Sequence, residues 1–320
     1  MNKKVAITGG AGFIGSNLVK RGLEEKWEMT VVDDLSNGHL AFLPPGFSEF
    51  LPGDFADDKF LDRVRKGEFD VVIHLAACPR VSYSVEHPFE TNDVNVTKTL
   101  LLMDACRKNK TPIVFSSSCA VYGDAKTPTS EDQPKNPLSP YALQKSIIED
   151  YLALYARLYG LSSTVLRFFN VFGPHQLGDS PYATAVSSWL TAIKKGVPLR
   201  SDGDGTQTRD MCYVDNVVDA IVLSVGDRKP GQSRTFNVGN GASVSNNEII
   251  NALVEYYPDE ILIKPAPCRE GDVKHTLADI SKTETLLKYT PKVSFAEGLD
   301  RTIDWVEGFP EFLTLGLKKL

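Results

Sequence analysis

The sequence predicts an α/β fold in which a doubly wound parallel sheet is followed by a smaller C-terminal lobe. A glycine-rich turn joins the first apolar run to a helical pattern, and short β-rich runs alternate with helical patterns up to about residue 170. Beyond that point strand and helix patterns no longer alternate regularly. We expect one domain at 1–170, with sheet contributions from about 211–240, and the smaller lobe mainly at 171–320.

The first element is a strand, glycine turn and helix. Val5-Ala6-Ile7-Thr8 leads into Gly9-Gly10-Ala11-Gly12-Phe13-Ile14-Gly15, and the next apolar run, Met29 to Val32, ends on Asp33 and Asp34. Glycines in this order permit a tight turn, close approach of a pyrophosphate and tight helix packing. A carboxylate after the second strand accepts hydrogen bonds from ribose hydroxyls and repels a 2′-phosphate, which favours NAD over NADP. The alternative is an ordinary βα turn.

Further strands are predicted at Val71–Leu75, Pro112–Ser116 and Thr164–Phe168. After these, Gly173-Pro174, Gly178-Asp179 and Asp202-Gly203-Asp204-Gly205 mark long loops. No linker separates the two regions, so we expect one compact body with a ligand cleft between them.

Composition excludes several classes of protein. The 320 residues carry a formal net charge of −6 without a basic block, which argues against nucleic acid or an anionic membrane as the main partner. The five cysteines and five histidines lack metal-ligand spacing, so no structural metal is expected. Met1-Asn2-Lys3-Lys4 leads directly into the first strand, and no long apolar span exists. We expect a soluble, cytoplasmic protein with reduced thiols.

The second chemical signal is Ser139-Pro140-Tyr141-Ala142-Leu143-Gln144-Lys145. Ser139 is a good N-cap, Pro140 suits the first helical position, and apolar periodicity continues to Tyr159. Tyr141 and Lys145 therefore share a helical face. A second Tyr-x-x-x-Lys match, Tyr122 to Lys126, contains a Gly123-Asp124 turn that breaks the helix, so only the first match holds its lysine over its tyrosine.

Together these motifs resemble the extended short-chain dehydrogenase/reductase family, the nucleotide-sugar epimerases and dehydratases, over nearly the whole chain. The closest similarity is to UDP-hexose 4-epimerases, and the implied fold is of the Rossmann type. The ordered motifs are Gly9 to Gly15, Gly53-Asp54, His74 to Ala77, Asn95-Val96, Ser116 to Gly123, Tyr141 to Lys145, Arg167 to Pro174, Gly203 to Asp210 and Arg269 to Val273.

The resemblance implies roles for individual residues. Tyr141 is the acid/base, Lys145 binds the nicotinamide ribose, and Ser118 bridges Tyr141 and the sugar 4-hydroxyl. A phenol ionises near pH 10, so basicity at neutral pH takes about 4 kcal/mol of preferential phenolate stabilisation. Lys145 and the nicotinamide cation are expected to supply it. The alternative is that Ser116 to Ser118 merely end a strand and have no part in catalysis.

The implied ligands are NAD and a UDP-sugar, with no metal. Cofactor binding is expected at Gly9, Gly12, Phe13, Ile14, Gly15, Asp33, Asp34, Ser36, Asn37, Gly38, Asp54, Phe55, Leu75, Ala76, Ala77, Asn95, Ser116, Tyr141, Lys145 and Phe169. Substrate binding is expected at Ser118, Tyr141, Asn170, Ala185, Val186, Gln207, Arg209, Arg269, Asp272 and Thr276. Among these, Arg209 and Arg269 suit bidentate contacts with a diphosphate, although each is alternatively a surface ion pair.

The implied reaction is 4-epimerisation through a transient 4-keto sugar, with no net redox change. Related 4,6-dehydratases carry an Asp-Glu pair directly after the catalytic hydroxyl residue and the decarboxylases carry a glutamate in that segment, but this chain has Cys119-Ala120. UDP-glucuronate 4-epimerases often have Thr at the position of Asn170, so a neutral hexose is favoured. The alternatives are another nucleotide-sugar epimerase or dehydratase and a non-catalytic NAD-binding protein, which would normally lose Tyr141 or Lys145.

Sugar preference and assembly are also suggested by the resemblance. Some glucose-only members have a bulky Tyr at the position of Thr276, so Thr276 leaves room for an acetamido group. Arg80 stands where small sugar-contacting residues are usual, and either reaches an anionic substrate or points to solvent; Asp202 occupies a position near the uracil that is often aromatic. Two helices, about Phe89 to Asn109 and Tyr141 to Tyr159, form the intermolecular bundle of family dimers, which implies a homodimer. The alternative is that their apolar residues belong to the intramolecular core.

Overall fold

The computed structural model describes residues 2–178, 184–227, 229–267 and 273–309. Its strands are β1 Lys4–Thr8, β2 Glu28–Asp33, β3 Glu49–Pro52, β4 Val71–His74, β5 Ile113–Ser118, β6 Ser163–Phe168, β7 Asn170–Phe172, β8 Leu199–Asp202, β9 Thr208–Tyr213, β10 Ser233–Val238, β11 Ser243–Ser245 and β12 Ile263–Ala266. Its α-helices are α1 Phe13–Glu24, α2 Asp58–Arg65, α3 Val81–Glu86, α4 Pro88–Asn92, α5 Thr99–Asn109, α6 Pro140–Tyr159, α7 Ala185–Lys194, α8 Val214–Gly226, α9 Asn246–Tyr256, α10 Ser281–Leu287 and α11 Phe295–Gly308.

The main sheet has seven strands in the order β10-β6-β5-β4-β1-β2-β3. Every neighbouring pair is parallel. The order β3-β2-β1-β4-β5-β6 is that of the Rossmann fold, so the predicted doubly wound sheet is confirmed. The strand order reverses between β1 and β4, and ligands of such sheets bind in the crevice at the carboxyl ends of the strands at that point.

Both faces of the sheet are buried, which explains why its strands read as continuous apolar runs rather than alternating ones. Val5 and Ile7 of β1 belong to one core cluster, with apolar residues of α1 and α8. Ala6, between them in the sequence, belongs to the second cluster, with apolar residues of α2, α5 and α6. Adjacent side chains of one strand therefore hold helices on opposite faces of the sheet.

Helix α6 has the predicted ends. The Ser139 hydroxyl accepts a hydrogen bond from the Ala142 N–H at 3.2 Å, Pro140 is the first helical residue, and Gly160 follows the last one with a φ of 67°. A serine N-cap and a glycine in the left-handed conformation satisfy the backbone groups that helix ends leave unpaired. The helix therefore holds Tyr141 and Lys145 at a defined height above the sheet edge.

The second half of the chain adds two small sheets, β11-β9-β7 and β12-β8. Strand β7 begins two residues after β6 and pairs in parallel with β9, so the chain passes directly from the main sheet to the first small sheet. Several elements were not predicted from the sequence, among them the short edge strand β3 and a π-helical stretch at Asp93–Lys98 between α4 and α5. Neither has a distinctive apolar period at that length.

Among the described residues, no helix combines the length and apolar character needed to cross a membrane. The same part of the chain contains no group of three or more His, Cys, Asp and Glu side chains arranged to hold a metal ion.

Candidate functional site

The glycine turn packs backbone against backbone. Gly9 has a φ of +69°, and a Cβ there would lie 2.7 Å from the Ala76 nitrogen. A Cβ on Gly15 would lie 2.2 Å from the Gly9 carbonyl oxygen, whereas one on Gly12 would meet that oxygen only at 3.3 Å. Gly9 and Gly15 thus permit the tight turn and the close packing of α1 against it. Gly12 is the least crowded of the three glycines.

The N-terminus of α1 is suited to a phosphate. Its N-cap is Gly12, no side chain caps it, and its first turn contains no acidic residue. Unpaired N–H groups and the helix dipole both favour an anion at such an end. The residues present therefore fit the pyrophosphate of a dinucleotide, with the predicted contacts at Gly12, Phe13, Ile14 and Gly15.

Asp33 ends β2 directly beside this turn. Its carboxylate accepts hydrogen bonds from the Ala11 N–H at 2.9 Å and the Leu35 N–H at 2.8 Å. Burial raises its pKa, and these backbone donors oppose that rise. An anionic carboxylate held there suits two ribose hydroxyls and disfavours a 2′-phosphate.

The segment after Asp33 folds back onto the turn. A Cβ on Gly38 would lie 2.7 Å from Asp33 Oδ1, and Asp34 accepts hydrogen bonds from both the N–H and the hydroxyl of Ser36 at 2.9 and 2.6 Å. The side chain of Asn37 donates to the Ser36 hydroxyl at 3.4 Å. Asp34, Ser36, Asn37 and Gly38 therefore form one wall beside the candidate ribose site.

Asp54 and Phe55 follow β3. Asp54 accepts a hydrogen bond from the Ala56 N–H at 2.8 Å and pairs with Lys98 at 2.7 Å. The Phe55 side chain lies in the core, edge-on to His74 with ring centroids 4.7 Å apart. Phe55 therefore has only its main chain to offer a cofactor.

Leu75, Ala76 and Ala77 follow β4 and are partly exposed next to the glycine turn. Asn95 fixes the next residue, because its amide accepts from the Cys78 N–H at 2.8 Å and donates to the Cys78 carbonyl at 3.0 Å. The same amide donates to Gln144 at 2.8 Å. Both N–H donors of Asn95 are thus used within the protein, so its role at this site is to hold the loop after β4 against α6.

Tyr141, Lys145 and Ser118 come together at the carboxyl end of β5. Ser118 lies beside Tyr141 and acts to lower the pKa of its phenol, and Lys145 Nζ donates to the Ser116 carbonyl at 2.7 Å. The Ser116 hydroxyl donates to the His74 carbonyl at 3.0 Å. Tyr141 and Lys145 are 8% and 3% exposed, so the predicted set is assembled and largely closed to water.

Burial shifts the pKa values of both Tyr141 and Lys145. Burial raises the pKa of Tyr141 to about 12, although the Ser118 hydrogen bond opposes the rise. Burial lowers the pKa of Lys145 to about 7, opposed by the negative charge of Glu149. Desolvation is the largest cause of both shifts; the expected lowering of the Tyr141 pKa by Lys145 and the nicotinamide cation together stays a prediction.

The rival tyrosine has a structural role. Tyr122 is buried, donates to the Asn237 side chain at 2.7 Å and packs against the Arg167 guanidinium, while Lys126 is exposed. Gly123 ends the short helical turn with a φ of 62°, as the sequence predicted.

Asn170 and Thr276 are brought together although 106 residues separate them. The Thr276 hydroxyl donates to Asn170 Oδ1 at 3.2 Å. Arg209, on the neighbouring strand β9, donates to the Thr208 and Lys274 carbonyls at 3.0 and 3.1 Å, and Gln207 donates to the Asp202 carbonyl at 2.7 Å. These residues form one wall that continues from β7 through β9 to the segment at 273–279.

Other predicted contacts are placed differently. Val186 is fully buried in the core and Phe169 packs with Val121 and Tyr122, so their side chains do not line a cleft. Ala185 is partly exposed at the first position of α7. Arg269 and Asp272 lie outside the described residues.

The two unusual residues, Arg80 and Asp202, are both partly exposed. Arg80 is partly exposed and donates to the Ser82 hydroxyl at 2.9 Å. Asp202 pairs with Arg200 at 2.7 Å.

Sequence reasoning missed three buried polar residues that hold α6. Ser84 accepts a hydrogen bond from the Tyr141 N–H at 3.1 Å, Gln144 donates to Thr91 at 3.0 Å, and Glu149 pairs with Arg167 at 2.6 Å. Glu149 stands four residues after Lys145, so helical periodicity alone could have placed it on the catalytic face. Ser84 and Gln144 had no comparable signal.

Comparison with known proteins adds independent evidence. The model of the NAD dependent epimerase/dehydratase family matches residues 5–239. The UDP-glucose 4-epimerase of Mycolicibacterium smegmatis is 36% identical over 313 residues, which is 94% of this chain and 98% of that protein.

Solved structures are similar over nearly the full length. UDP-glucose 4-epimerase from Thermotoga maritima, determined with UDP-glucose, has a TM-score of 0.90 and 33% identity, covering 97% of this chain and 100% of its own. UDP-N-acetylglucosamine 4-epimerase from Methanobrevibacter ruminantium, in complex with UDP-N-acetylmuramic acid, has a TM-score of 0.89 and 35% identity, covering 96% and 99%.

Proposed function

The chain belongs to the NAD-dependent epimerase/dehydratase family, and on that premise we propose that it interconverts the 4-epimers of a UDP-hexose through a transient 4-keto sugar. The observation that carries the proposal is the assembly of Ser118, Tyr141 and Lys145 at the carboxyl end of β5. This set lies on the same sheet edge as the glycine turn and Asp33, which fit NAD.

In the proposed reaction Tyr141 accepts the proton of the sugar 4-hydroxyl through Ser118. Bound NAD⁺ supplies the hydride acceptor for C4 and a positive charge that favours the phenolate. The 4-keto sugar then turns within the pocket, and Tyr141 returns its proton once the opposite face of C4 is reduced. Net redox change is zero, so the proposed reaction consumes no oxidant or reductant.

Lys145 has a positioning and an electrostatic part in this scheme. Its ammonium donates to the Ser116 carbonyl, which fixes it one helical turn from Tyr141. Glu149 favours its charged form. A charged Lys145 would hold the nicotinamide ribose, and the cation of the cofactor rather than Lys145 alone would bring the Tyr141 pKa down from its buried value.

The residues beside Ser118 disfavour the related reactions. Elimination of water from C6, or loss of a carboxylate, needs a carboxylate after the catalytic hydroxyl residue in the related enzymes, and here Cys119-Ala120 occupies that segment. Burial raises the Cys119 pKa to about 12, so its thiol stays neutral. A non-catalytic NAD-binding protein would have no use for the intact Ser118, Tyr141 and Lys145 set.

We propose neutral UDP-hexoses as substrates, including the acetamido sugars. Asn170 stands where UDP-glucuronate 4-epimerases often have Thr, and Thr276 is small enough to leave room for an acetamido group. A Thr276→Tyr variant should lose far more activity on UDP-GlcNAc than on UDP-Glc. Full retention of acetamido-sugar activity in that variant would refute the steric argument.

The lobe mainly at 171–320 is proposed to bind the nucleotide sugar. Arg209 and Gln207 lie on its wall beside Thr276. Arg269 and Asp272, which follow from the resemblance alone, complete the proposed diphosphate and ribose contacts. The UDP group is gripped firmly, and the sugar less so, because a tightly clamped sugar could not turn.

A homodimer is proposed from an apolar stripe on α6. Leu143, Ile147, Tyr151, Leu154 and Leu158 recur every three or four residues, and Leu143, Tyr151 and Leu158 are 49%, 37% and 61% exposed. Phe89 on α4 is 89% exposed and Leu101 on α5 48%. Exposed apolar side chains on neighbouring helices indicate a protein interface. A cytoplasmic location is proposed with it, since NAD and nucleotide sugars are cytosolic metabolites.

The first experiment incubates the purified protein with UDP-Glc, UDP-GlcNAc or UDP-GlcA, with NAD⁺ supplied and no reductant, and follows the anomeric protons by NMR. Appearance of the matching galacto isomer establishes 4-epimerisation and identifies the sugar. Tyr141→Phe is the inactive control and Tyr151→Phe, on the exposed face of the same helix, the active one. If all three sugars remain unchanged with the wild type, the proposal is wrong.

A further inference from the structure

Three residues form a chain of hydrogen bonds along the wall of the site. The Asp210 N–H on β9 donates to the Thr276 hydroxyl at 3.3 Å, and that hydroxyl donates to Asn170 Oδ1 on β7 at 3.2 Å. The Thr276 N–H donates to the Thr208 carbonyl at 3.0 Å. Thr276 is therefore held by both its main chain and its side chain.

Asp210 is itself a rigid anchor. It is fully buried, and its carboxylate accepts hydrogen bonds from the N–H groups of Asn240 at 2.6 Å, Gly241 at 3.1 Å and Ala278 at 3.1 Å. The last of these lies two residues after Thr276, so Asp210 fixes this segment at two points. The position of the Thr276 hydroxyl is thereby set by β9.

The hydrogen bond from Thr276 determines which end of the Asn170 amide is free. With Oδ1 accepting from Thr276, the amino group Nδ2 has no acceptor among the described residues. Asn170 is partly exposed and lies two residues after Phe168, which pairs with Ser118 in the main sheet. The unpaired donor is thus on the same sheet edge as the catalytic hydroxyl.

An asparagine amide has two orientations that differ little in shape and present opposite hydrogen-bonding groups. In one orientation Asn170 offers N–H donors to an oxygen-rich ligand, and in the other it offers a carbonyl that repels the same oxygens. The Thr276 hydroxyl already accepts from the Asp210 N–H and uses its own hydrogen on Oδ1, which favours the first orientation.

We propose that Thr276 is a positioning residue whose hydroxyl, placed by Asp210, orients the Asn170 amide so that Nδ2 donates a hydrogen bond to an oxygen of the nucleotide sugar. The inference rests on the proposed function for the identity of the ligand. The proposed function uses only the small size of Thr276, and this inference gives its hydroxyl a role as well. A residue of equal size without a hydroxyl cannot perform that role.

The test uses a matched pair of substitutions. Thr276→Val keeps the shape and removes the hydroxyl, and Thr276→Ser keeps the hydroxyl in a smaller side chain. We expect Thr276→Val to raise KM for the accepted UDP-sugar about tenfold with little change in kcat, the loss of one oriented hydrogen bond. Thr276→Ser should stay within about twofold of the wild type.

A double-mutant cycle with Asn170→Ala distinguishes an effect of Thr276 on the orientation of the Asn170 amide from an effect of its side-chain size. If Thr276 acts through Asn170, Thr276→Val should have no further effect on KM in the Asn170→Ala background. A full, additive effect there, or a Thr276→Val enzyme equal to the wild type, overturns the proposal. If Thr276→Val lowers the melting temperature, Thr276→Ala replaces it as the variant without a hydroxyl. Thr276→Ser, which keeps the hydroxyl, should then again have a KM close to that of the wild type.

Failure of the proposed function is recognised separately. If the wild type epimerises no UDP-sugar, the cycle is measured instead from calorimetric affinities for UDP-Glc and UDP-GlcNAc. Coupling between positions 170 and 276 then supports the positioning role without catalysis, and additivity overturns it. A wild type that binds neither compound overturns both proposals.

Discussion

Glu149 of α6 and Arg167 of β6 form a bidentate ion pair, with Nη2 to Oε2 at 2.6 Å and Nε to Oε1 at 3.0 Å. Their side chains are 4% and 6% exposed, and the Ser117 hydroxyl donates to the same carboxylate at 2.5 Å. The pair therefore ties α6 to both β5 and β6, one helical turn beyond Lys145.

Removing one charge of this pair should strongly lower the free energy of unfolding. Glu149→Gln leaves the Arg167 guanidinium buried without a counter-charge, so we expect a loss of about 3–5 kcal/mol in the free energy of unfolding. Urea denaturation measures it. The control is Asp150→Asn, the next residue, whose exposed pair with Lys135 should matter by less than about 1 kcal/mol. Equal effects of the two variants would contradict a special role for the buried pair.

Tyr141→Phe removes the proposed acid/base and preserves the ring. We expect kcat to fall by on the order of 10²- to 10⁴-fold, because proton transfer from the 4-hydroxyl loses its acceptor. NAD affinity, measured by calorimetry, and the melting temperature should change little. Tyr151→Phe should keep the wild-type rate; a similar loss there would indicate damage to α6 rather than to the chemistry.

One buried histidine, His74, and one partly buried histidine, His175, should make the fold sensitive to acid. Burial lowers the pKa of His74 to about 3 and that of His175 to about 4, from an ordinary value of 6.5. Below pH 6.5 the unfolded chain takes up protons that the folded state does not, so stability is present above that pH and is lost as pH falls. Between pH 6.5 and its folded pKa, each histidine should lower the free energy of unfolding by about 1.4 kcal/mol for every unit that the pH falls.

The measurement is urea unfolding at pH 7.0 and pH 5.0. His74→Gln should flatten the pH dependence relative to the wild type. An unchanged slope in His74→Gln would show that His74 does not carry this dependence.

Asp33 is expected to determine NAD affinity. Asp33→Asn turns an amino group towards one of two backbone donors, Ala11 N–H or Leu35 N–H, and removes the charge beside the ribose. We expect NAD binding to weaken roughly ten- to a hundredfold. Calorimetry with Asp34→Asn provides the comparison, with an expected effect below about threefold. A larger effect at Asp34 would move the ribose contact to that residue.

The apolar stripe on α6 predicts the oligomeric state. The wild type should elute as a dimer in size-exclusion chromatography with light scattering. Leu158→Glu places a charge in the proposed interface and should give a monomer, while Leu286→Glu, at a comparably exposed leucine of α10, should leave the dimer intact. A wild-type monomer at micromolar concentration would refute the interface.

Local signals were sufficient for much of the fold. The apolar runs of β1, β2, β4, β5 and β6 and the caps of α6 depend on neighbours within a few residues, so the strands and the catalytic helix were predicted from the sequence. The spacing of Tyr141 and Lys145 follows from the helical repeat alone. The order of the glycine turn, second strand and Asp33 likewise indicated where a dinucleotide would bind.

Only the tertiary structure decided which distant side chains meet and how burial changes their chemistry. Thr276 with Asn170, Asp210 with Ala278, and Glu149 with Arg167 join separate elements, and no local period specifies such contacts. The raised pKa of Tyr141 and the lowered pKa of Lys145 also depend on desolvation by the whole packed site. Sequence periodicity determines which residues share a face of one element, whereas packing between elements determines what that face contacts.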